Sequence, residues 1–321
     1  MKEIRVSIGS LGVLGLRNIK LPAPPTTLYL MAGEKCMYNC AYCPQSRSSH
    51  GSTEYLSRVI WPKTEWSKLK EAVKNAPELV KRICFQVVNS PHFLEDTLFF
   101  IRDIKSVSAL PISVSIRLSN INDVDALFSS GANRIGLALD VATEKTFAEY
   151  RGGNFSDTVN FILKAGKKHP RSITTHIIVG MGESDRELHD LMKLFFENTI
   201  TVGLFAFTPI KGTRMENKKP PELKRYRRIQ FMRYLFSVGK EFDLEFNGEG
   251  ALSSVSGENI GEMLKNPYVF TTSGCPHCNR PYYNEEPMGP MFNYPFPPQN
   301  AERVINEFVK YASNDRVVFK I

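Results

Sequence analysis

Short runs rich in Val, Ile and Phe alternate with stretches whose apolar residues recur every third or fourth position. The runs predict strands at residues 27–31, 82–88, 112–116, 134–139, 173–179 and 203–207, most of them bounded by Gly, Pro or Asn. The helical periods predict helices at 63–75, 93–107, 121–129, 155–168 and 184–196, and an amphipathic helix at about 221–242. Leu188, Leu191, Leu194 and Phe195 mark one such stripe. Strands alternating with helices imply parallel pairing through crossover helices. The expected fold is therefore α/β, a TIM-type barrel of about six βα units with room for completion. Residues 1–26 form an N-terminal extension, 27–243 the barrel and 244–321 a C-terminal extension. Within the last, 271–298 is rich in Pro and aromatic residues and reads as irregular, followed by a helix at about 301–312. A structureless stretch of that length needs a ligand, a metal or a function to order it.

Composition narrows the classes. Of 321 residues 42% are hydrophobic and 23% charged, which argues against a disordered or fibrous chain. No apolar run is long enough to span a membrane. Residues 6–16 are apolar, but Glu3, Ser7, Ser10 and the glycines dilute the segment, and no small-residue cleavage site follows, so a signal peptide is not expected. The net charge of +8 suits an acidic partner protein, an anionic cofactor or nucleic acid. No aromatic-basic RNA motif supports the last. Six cysteines are too few for a disulfide scaffold. Cys36, Cys40 and Cys43 cluster, Cys275 and Cys278 form a second cluster and Cys84 stands alone, and clustered thiols in a cytoplasmic protein point to metal.

Cys36, Cys40 and Cys43 give C-x3-C-x2-C just after the first strand. On a barrel that is a βα loop of the active face. Three thiolates on one loop hold three corners of a 4Fe–4S cube and leave the fourth iron open. Zinc is the alternative, but structural zinc asks for a fourth nearby ligand.

With Tyr42 before its last cysteine, this loop resembles that of the radical S-adenosylmethionine (SAM) superfamily. The resemblance implies that the open iron chelates the amino and carboxylate groups of SAM. It also implies that reductive cleavage yields a 5′-deoxyadenosyl radical, with electrons from a donor such as ferredoxin or flavodoxin. Further segments resemble biotin synthase and its relatives: Tyr42-Cys43-Pro44-Gln45-Ser46, Arg82-Ile83-Cys84-Phe85 with Asn89-Ser90-Pro91-His92, Ile178-Val179-Gly180-Met181-Gly182-Glu183, and Lys211-Gly212-Thr213. The family pattern assigns Asp140 to the SAM ribose, Arg117 to its carboxylate, and the backbone around Tyr42, Val179 and Gly180 to adenine. Read from the residues alone, Asp140 is equally a helix N-cap, Arg117 a surface cation and Val179 a core residue.

The departures are informative. Biotin synthase holds a second cluster with three strand cysteines and an arginine. Only Cys84 matches; the other two positions fall near Ser113 and Thr174, and Asn247-Gly248-Glu249-Gly250 stands where the arginine segment would be. Cys275 and Cys278, a C-x2-C in the irregular tail, offer a substitute. With Cys84 they make three thiols for a second iron–sulfur cluster of 4Fe–4S type, provided the tail folds over the barrel mouth. Half a zinc knuckle, a redox pair and a buried structural Cys84 remain as alternatives. Ser273, His277 or an external sulfide are open as its fourth ligand.

Ordinary lipoyl synthase carries a C-x4-C-x5-C near its N-terminus, whereas no cysteine precedes Cys36 here. The tail from Cys275 to Pro287, with Phe292-Asn293-Tyr294-Pro295, resembles instead the divergent lipoyl synthases that work as a pair of radical SAM proteins. That resemblance implies sulfur insertion into an octanoyl chain on a lipoyl carrier domain or H protein, with a second radical SAM subunit. The basic run Lys224-Arg225-Tyr226-Arg227-Arg228 is a candidate docking surface, or simply a solvated helix face. A biotin synthase variant, another radical SAM methylthiolase or mutase, and a non-catalytic iron–sulfur protein are the competing readings.

Overall fold

The computed structural model describes residues 2–285, 289–314 and 317–320. In chain order its strands are β1 (Glu3–Val6), β2 (Thr27–Ala32), the hairpin β3 (Tyr55–Leu56) and β4 (Val59–Ile60), β5 (Lys63–Glu65), β6 (Arg82–Val87), β7 (Ile112–Ile116), β8 (Arg134–Leu137), β9 (Ile173–Val179), β10 (Thr201–Ala206), β11 (Phe242–Phe246), β12 (Leu252–Gly257) and β13 (Val318–Lys320). All six expected parallel strands are present, as β2 and β6 to β10, paired in the order β10-β9-β8-β7-β6-β2. The pattern did not foretell β1 and β5, which extend this sheet antiparallel beyond β2. The pairing of β5 with β1 also delays the expected helix at 63–75, which runs Trp66–Lys74. The sheet is open: among the described residues no pairing joins β10 to β5.

Side chains alternate across each strand. On β6, Ile83 and Phe85 face the crossover helices, and so do Ile112, Val114 and Ile116 of β7 and Ile173, Ile177 and Val179 of β9. Each such fully buried side chain contributes about 1.5–3 kcal/mol. The intervening positions face the lumen. They are Cys84 and Gln86, Ser113 and Ser115, Thr174 and His176, a polar set on apolar strands.

The helix Leu223–Val238 is shorter than expected and not one-faced. Tyr226, Ile229 and Met232 pack into the main core, while Phe231 and Leu235 enter a second core. That second core joins β11, β12 and the helix Ala301–Asn314 through Leu252, Val255, Phe270, Ile305 and Phe308. Three arginines of this helix turn to partners within the chain. Arg225 pairs with Glu183 and Asp185, Arg228 with Asp185, and Arg227 donates to the carbonyls of Met291 and Phe292. The run is therefore not a simple solvated face, since its arginines are engaged within the chain while Lys224 stays partly exposed.

From Ser273 to Asn284 the tail links β10 to β2. Ser273 Oγ accepts from Leu204 N (2.9 Å), and Asn284 Nδ2 donates to Ala206 O (3.0 Å). Opposite, the Thr26 and Thr27 hydroxyls donate to His277 O (both 2.7 Å). The unpaired edge of β10 is thereby covered.

Candidate functional site: two thiol-lined cavities

Cys36, Cys40 and Cys43 follow the C-terminal end of β2. Backbone bonds hold their loop: Cys36 N to Gln45 O (2.9 Å), Met37 N to Asn89 O (2.8 Å) and Ala41 N to Tyr150 O (2.6 Å). From β1, buried Arg5 donates to Gln45 Oε1 (2.9 Å), Gly33 O (2.6 Å), Glu34 O (3.0 Å) and Thr53 O. Arg5→Ala strips these acceptors of their donor. We expect a loss of about 1–3 kcal/mol in urea unfolding and less iron bound per chain. Full iron content with an unchanged midpoint would show that Arg5 does not pin the loop.

The three thiols line one cavity of about 220 Å³ together with Tyr42, Arg117 and Asp140. Burial pushes the Cys40 and Cys43 thiols up from their ordinary pKa. Such thiols ionise readily only against a metal or another cation. Tyr42 Oη donates to Asp140 Oδ2 (2.7 Å), and Arg151 Nε lies 3.5 Å from the same oxygen. Asp140 is not a helix cap: its φ is +68°, and Thr143 caps the helix Glu144–Tyr150, which the sequence pattern had missed. Arg117 is no surface cation. Its guanidinium stacks 3.8 Å over the Tyr38 ring and donates to Gly152 O (3.0 Å), and its buried Nη1 has no hydrogen-bond partner.

Strand alternation turns Val179 outward into the core, and Ile178 lines the cavity instead. Gly180 has φ +100°, and a Cβ there would meet Pro221 at 2.9 Å. Its N–H and that of Met181 donate to the Glu183 carboxylate (both 2.8 Å), so the Gly-x-Gly-Glu turn is closed by its own acid.

Cys275 and Cys278 meet Cys84 around a second cavity. Thr174 Oγ1 is 3.7 Å from Cys275 Sγ, Tyr29 Oη is 3.5 Å from Cys278 Sγ, and Gln86 Nε2 donates to Cys84 Sγ (3.1 Å). Cys84 packs with Tyr29, Met31, Trp61 and Val88, yet it is not merely core, because it shares this cavity with the pair. Burial, then the neighbouring Cys275 and Cys278, push its thiol well up. Burial also raises Cys278, against the pull of Arg280. Arg82 donates to Ser113 Oγ (2.9 Å) and Pro276 O (3.0 Å), and Arg280 stacks 3.7 Å over the Phe205 ring. Neither arginine's cavity-facing role was legible in the sequence, because the tail's path sets it.

One expectation fails in its geometry. The tail pair does not lie over the mouth where the first trio sits. Its loop is bonded to Thr26, Thr27 and Arg82, at the starts of β2 and β6, so it closes the opposite end of the lumen. The two cavities meet between these ends, where Gln86, Ser115, His176, Phe205 and Tyr283 line both. His176 was also missed. Burial lowers its pKa to about 4, so the imidazole is neutral near pH 7. Among the fourth-ligand candidates, Ser273 Oγ is bonded to Leu204 N and His277 is exposed. Glu286 and Pro287 of the tail motif lie outside the described residues.

Among the described residues no three His, Cys, Asp or Glu side chains stand close enough to hold a single metal ion. Each thiol group lines a cavity, and three thiolates at one cavity are a donor set that an iron–sulfur cluster uses.

A family model described as the radical SAM superfamily matches residues 31–195, and the chain belongs to that superfamily. It is a radical SAM enzyme whose curated relatives include biotin synthases. The biotin synthase of Methanococcus vannielii is 26% identical over 256 residues, 74% of each chain. That of a Sulfurihydrogenibium species is 27% identical over 187 residues, 57% of this chain and only 55% of that protein. A crystal structure of methylornithine synthase (PylB) aligns with a TM-score of 0.53 and 18% identity over 64% of this chain and 62% of that one, a likeness of fold alone. The family implies a 4Fe–4S cluster and SAM. The residues present fit them: three thiols lining one cavity, and a buried guanidinium nitrogen without a partner lining the same cavity. Among the described residues no helix is long and apolar enough to cross a membrane.

Proposed function

We propose that this chain inserts sulfur into a protein-bound octanoyl chain, as one component of a two-protein lipoyl synthase in the cytoplasm. The observation that carries the reading is the gathering of Cys84, Cys275 and Cys278 around a cavity that shares Gln86, Ser115, His176, Phe205 and Tyr283 with that of the first trio. Ser113 and Thr174 supply no thiol, and Cys275, at 3.7 Å from Thr174 Oγ1, offers the missing donor there. When bound, the first cluster with SAM on its open iron supplies hydrogen abstraction, and the second, of 4Fe–4S type, supplies the sulfur atom.

The remaining roles belong to the chain. Arg117 Nη1 takes the SAM carboxylate, for which a guanidinium has matching geometry. Asp140, oriented by Tyr42 and Arg151, accepts from the ribose hydroxyls. The backbone around Tyr42, Val179 and Gly180 borders adenine. Val88, Ile178 and Phe207 line the rest of the first cavity and suit an alkyl chain while excluding water. The partners are an octanoylated lipoyl domain or H protein, a second radical SAM subunit, and a ferredoxin- or flavodoxin-like donor. The net charge of +8 favours an acidic carrier.

Mass spectrometry of an octanoylated carrier peptide, reacted with and without a candidate partner subunit, tests this. We expect a product carrying one added sulfur from this chain alone. The similarity to biotin synthases over 74% of both chains favours a second reading, sulfur insertion into a biotin precursor. Sulfur appearing only in that small molecule would replace the first reading with the second.

A further inference from the structure

The imidazole of His176 has an unusual seat. It points from β9 into the lumen, lines both cavities, and touches Phe205 edge-on at 5.2 Å between ring centroids. No hydrogen bond to its ring nitrogens is present among the described residues. One glycine, Gly136, makes room for it, while Gly203 stands beside it at ordinary contact distance. Gly203 on β10 is its register partner, and a Cβ there would stand 3.5 Å from His176 Cδ2. Gly136 on β8 is the register partner of Thr174, and a Cβ there would stand 3.2 Å from Cε1 and 3.6 Å from Nε2. The tip of the ring therefore leans down the strand, from its own level toward that of Thr174. At that level lies Cys275 Sγ, 3.7 Å from Thr174 Oγ1. Gly203 also abuts the tail, whose Ser273 O and Gly274 Cα lie 3.3 and 3.5 Å from the same Cβ position. Imidazole is a common metal ligand.

Resting on the second-cluster reading, we propose that His176, through Nε2, is the fourth ligand of the cluster held by Cys84, Cys275 and Cys278. This makes the set three thiolates and one imidazole. Exchanging a thiolate for a neutral ring raises a cluster's reduction potential. Nδ1–H stays available as a donor inside the lumen.

The test uses the full chain with Cys36→Ala, Cys40→Ala and Cys43→Ala, so that only the second cluster remains. After reconstitution and reduction, pulsed EPR should detect nitrogen coupling from a bound imidazole, shifted when histidine is labelled with nitrogen-15. His277→Ala should keep that coupling. His176→Ala should lose it with iron and sulfide per chain retained, and His176→Cys should lower the midpoint potential. Labelling needs no change at position 176, so it stands even if those variants fail to fold. A cluster present at full iron without histidine coupling, or with coupling lost in His277→Ala, overturns the assignment of His176 while leaving the second cluster intact. Failure of the triple variant to bind iron overturns both.

Discussion

Alanine at Cys36, Cys40 or Cys43 is expected to abolish 5′-deoxyadenosine formation from SAM. The loss should exceed about a hundredfold, because a direct ligand is removed and even outer-shell partners of metal sites commonly contribute 10–100-fold (about one to two orders). The structure gives the physical reason. The three thiols line one cavity with Arg117 and Asp140, and burial holds Cys40 and Cys43 protonated unless a metal takes them. No other described thiol can stand in, since Cys84, Cys275 and Cys278 gather around the second cavity. Anaerobic reconstitution followed by chromatography of the nucleoside product measures the effect. Undiminished 5′-deoxyadenosine from any of the three variants would remove the first cluster from this loop.

The second large effect separates two activities. Replacing Cys275 and Cys278 together by alanine should leave SAM cleavage in place and reduce sulfur-containing product below about 1% of wild type. Iron and sulfide per chain should fall to roughly half. Distance along the lumen makes the separation possible. The trio follows the end of β2, whereas the tail loop is tied to the beginnings of β2 and β6. The fold should survive, because the tail keeps its bonds from Thr26, Thr27, Leu204 and Asn284. Wild-type iron content in the double variant, or sulfur transfer at full yield, would deny the tail pair its proposed role.

Some of this architecture could be read directly. The strands at Ile112–Ile116 and Ile173–Val179 and the helices at Ile121–Ser129 and Phe155–Lys168 have the expected bounds, because each buries a regular apolar face. The terminal strands were not legible. β1 and β5 are short and take their stability from pairing with β2 and with each other. The helix Leu223–Val238 misled in another way, since it serves two cores and its arginines are consumed by internal partners. A signal for His176 was present in the sequence. The alternations Cys84/Gln86, Ser113/Ser115 and Thr174/His176 place polar residues on one side of otherwise apolar strands, which marks a lined lumen rather than a dry core.

What the sequence determined by itself is local: the C-x3-C-x2-C loop, the strand and helix periods, and through them the superfamily. Those features depend on residues a few positions apart, where chain geometry leaves little freedom. Only the tertiary structure decided that Cys275 and Cys278 come to Cys84 at the far end of the lumen, and that Gly136 clears a seat for His176. Those juxtapositions join segments nearly two hundred residues apart in the case of the thiols. They follow from how the sheet curls and where the tail finds an unpaired edge, which no short stretch of sequence encodes.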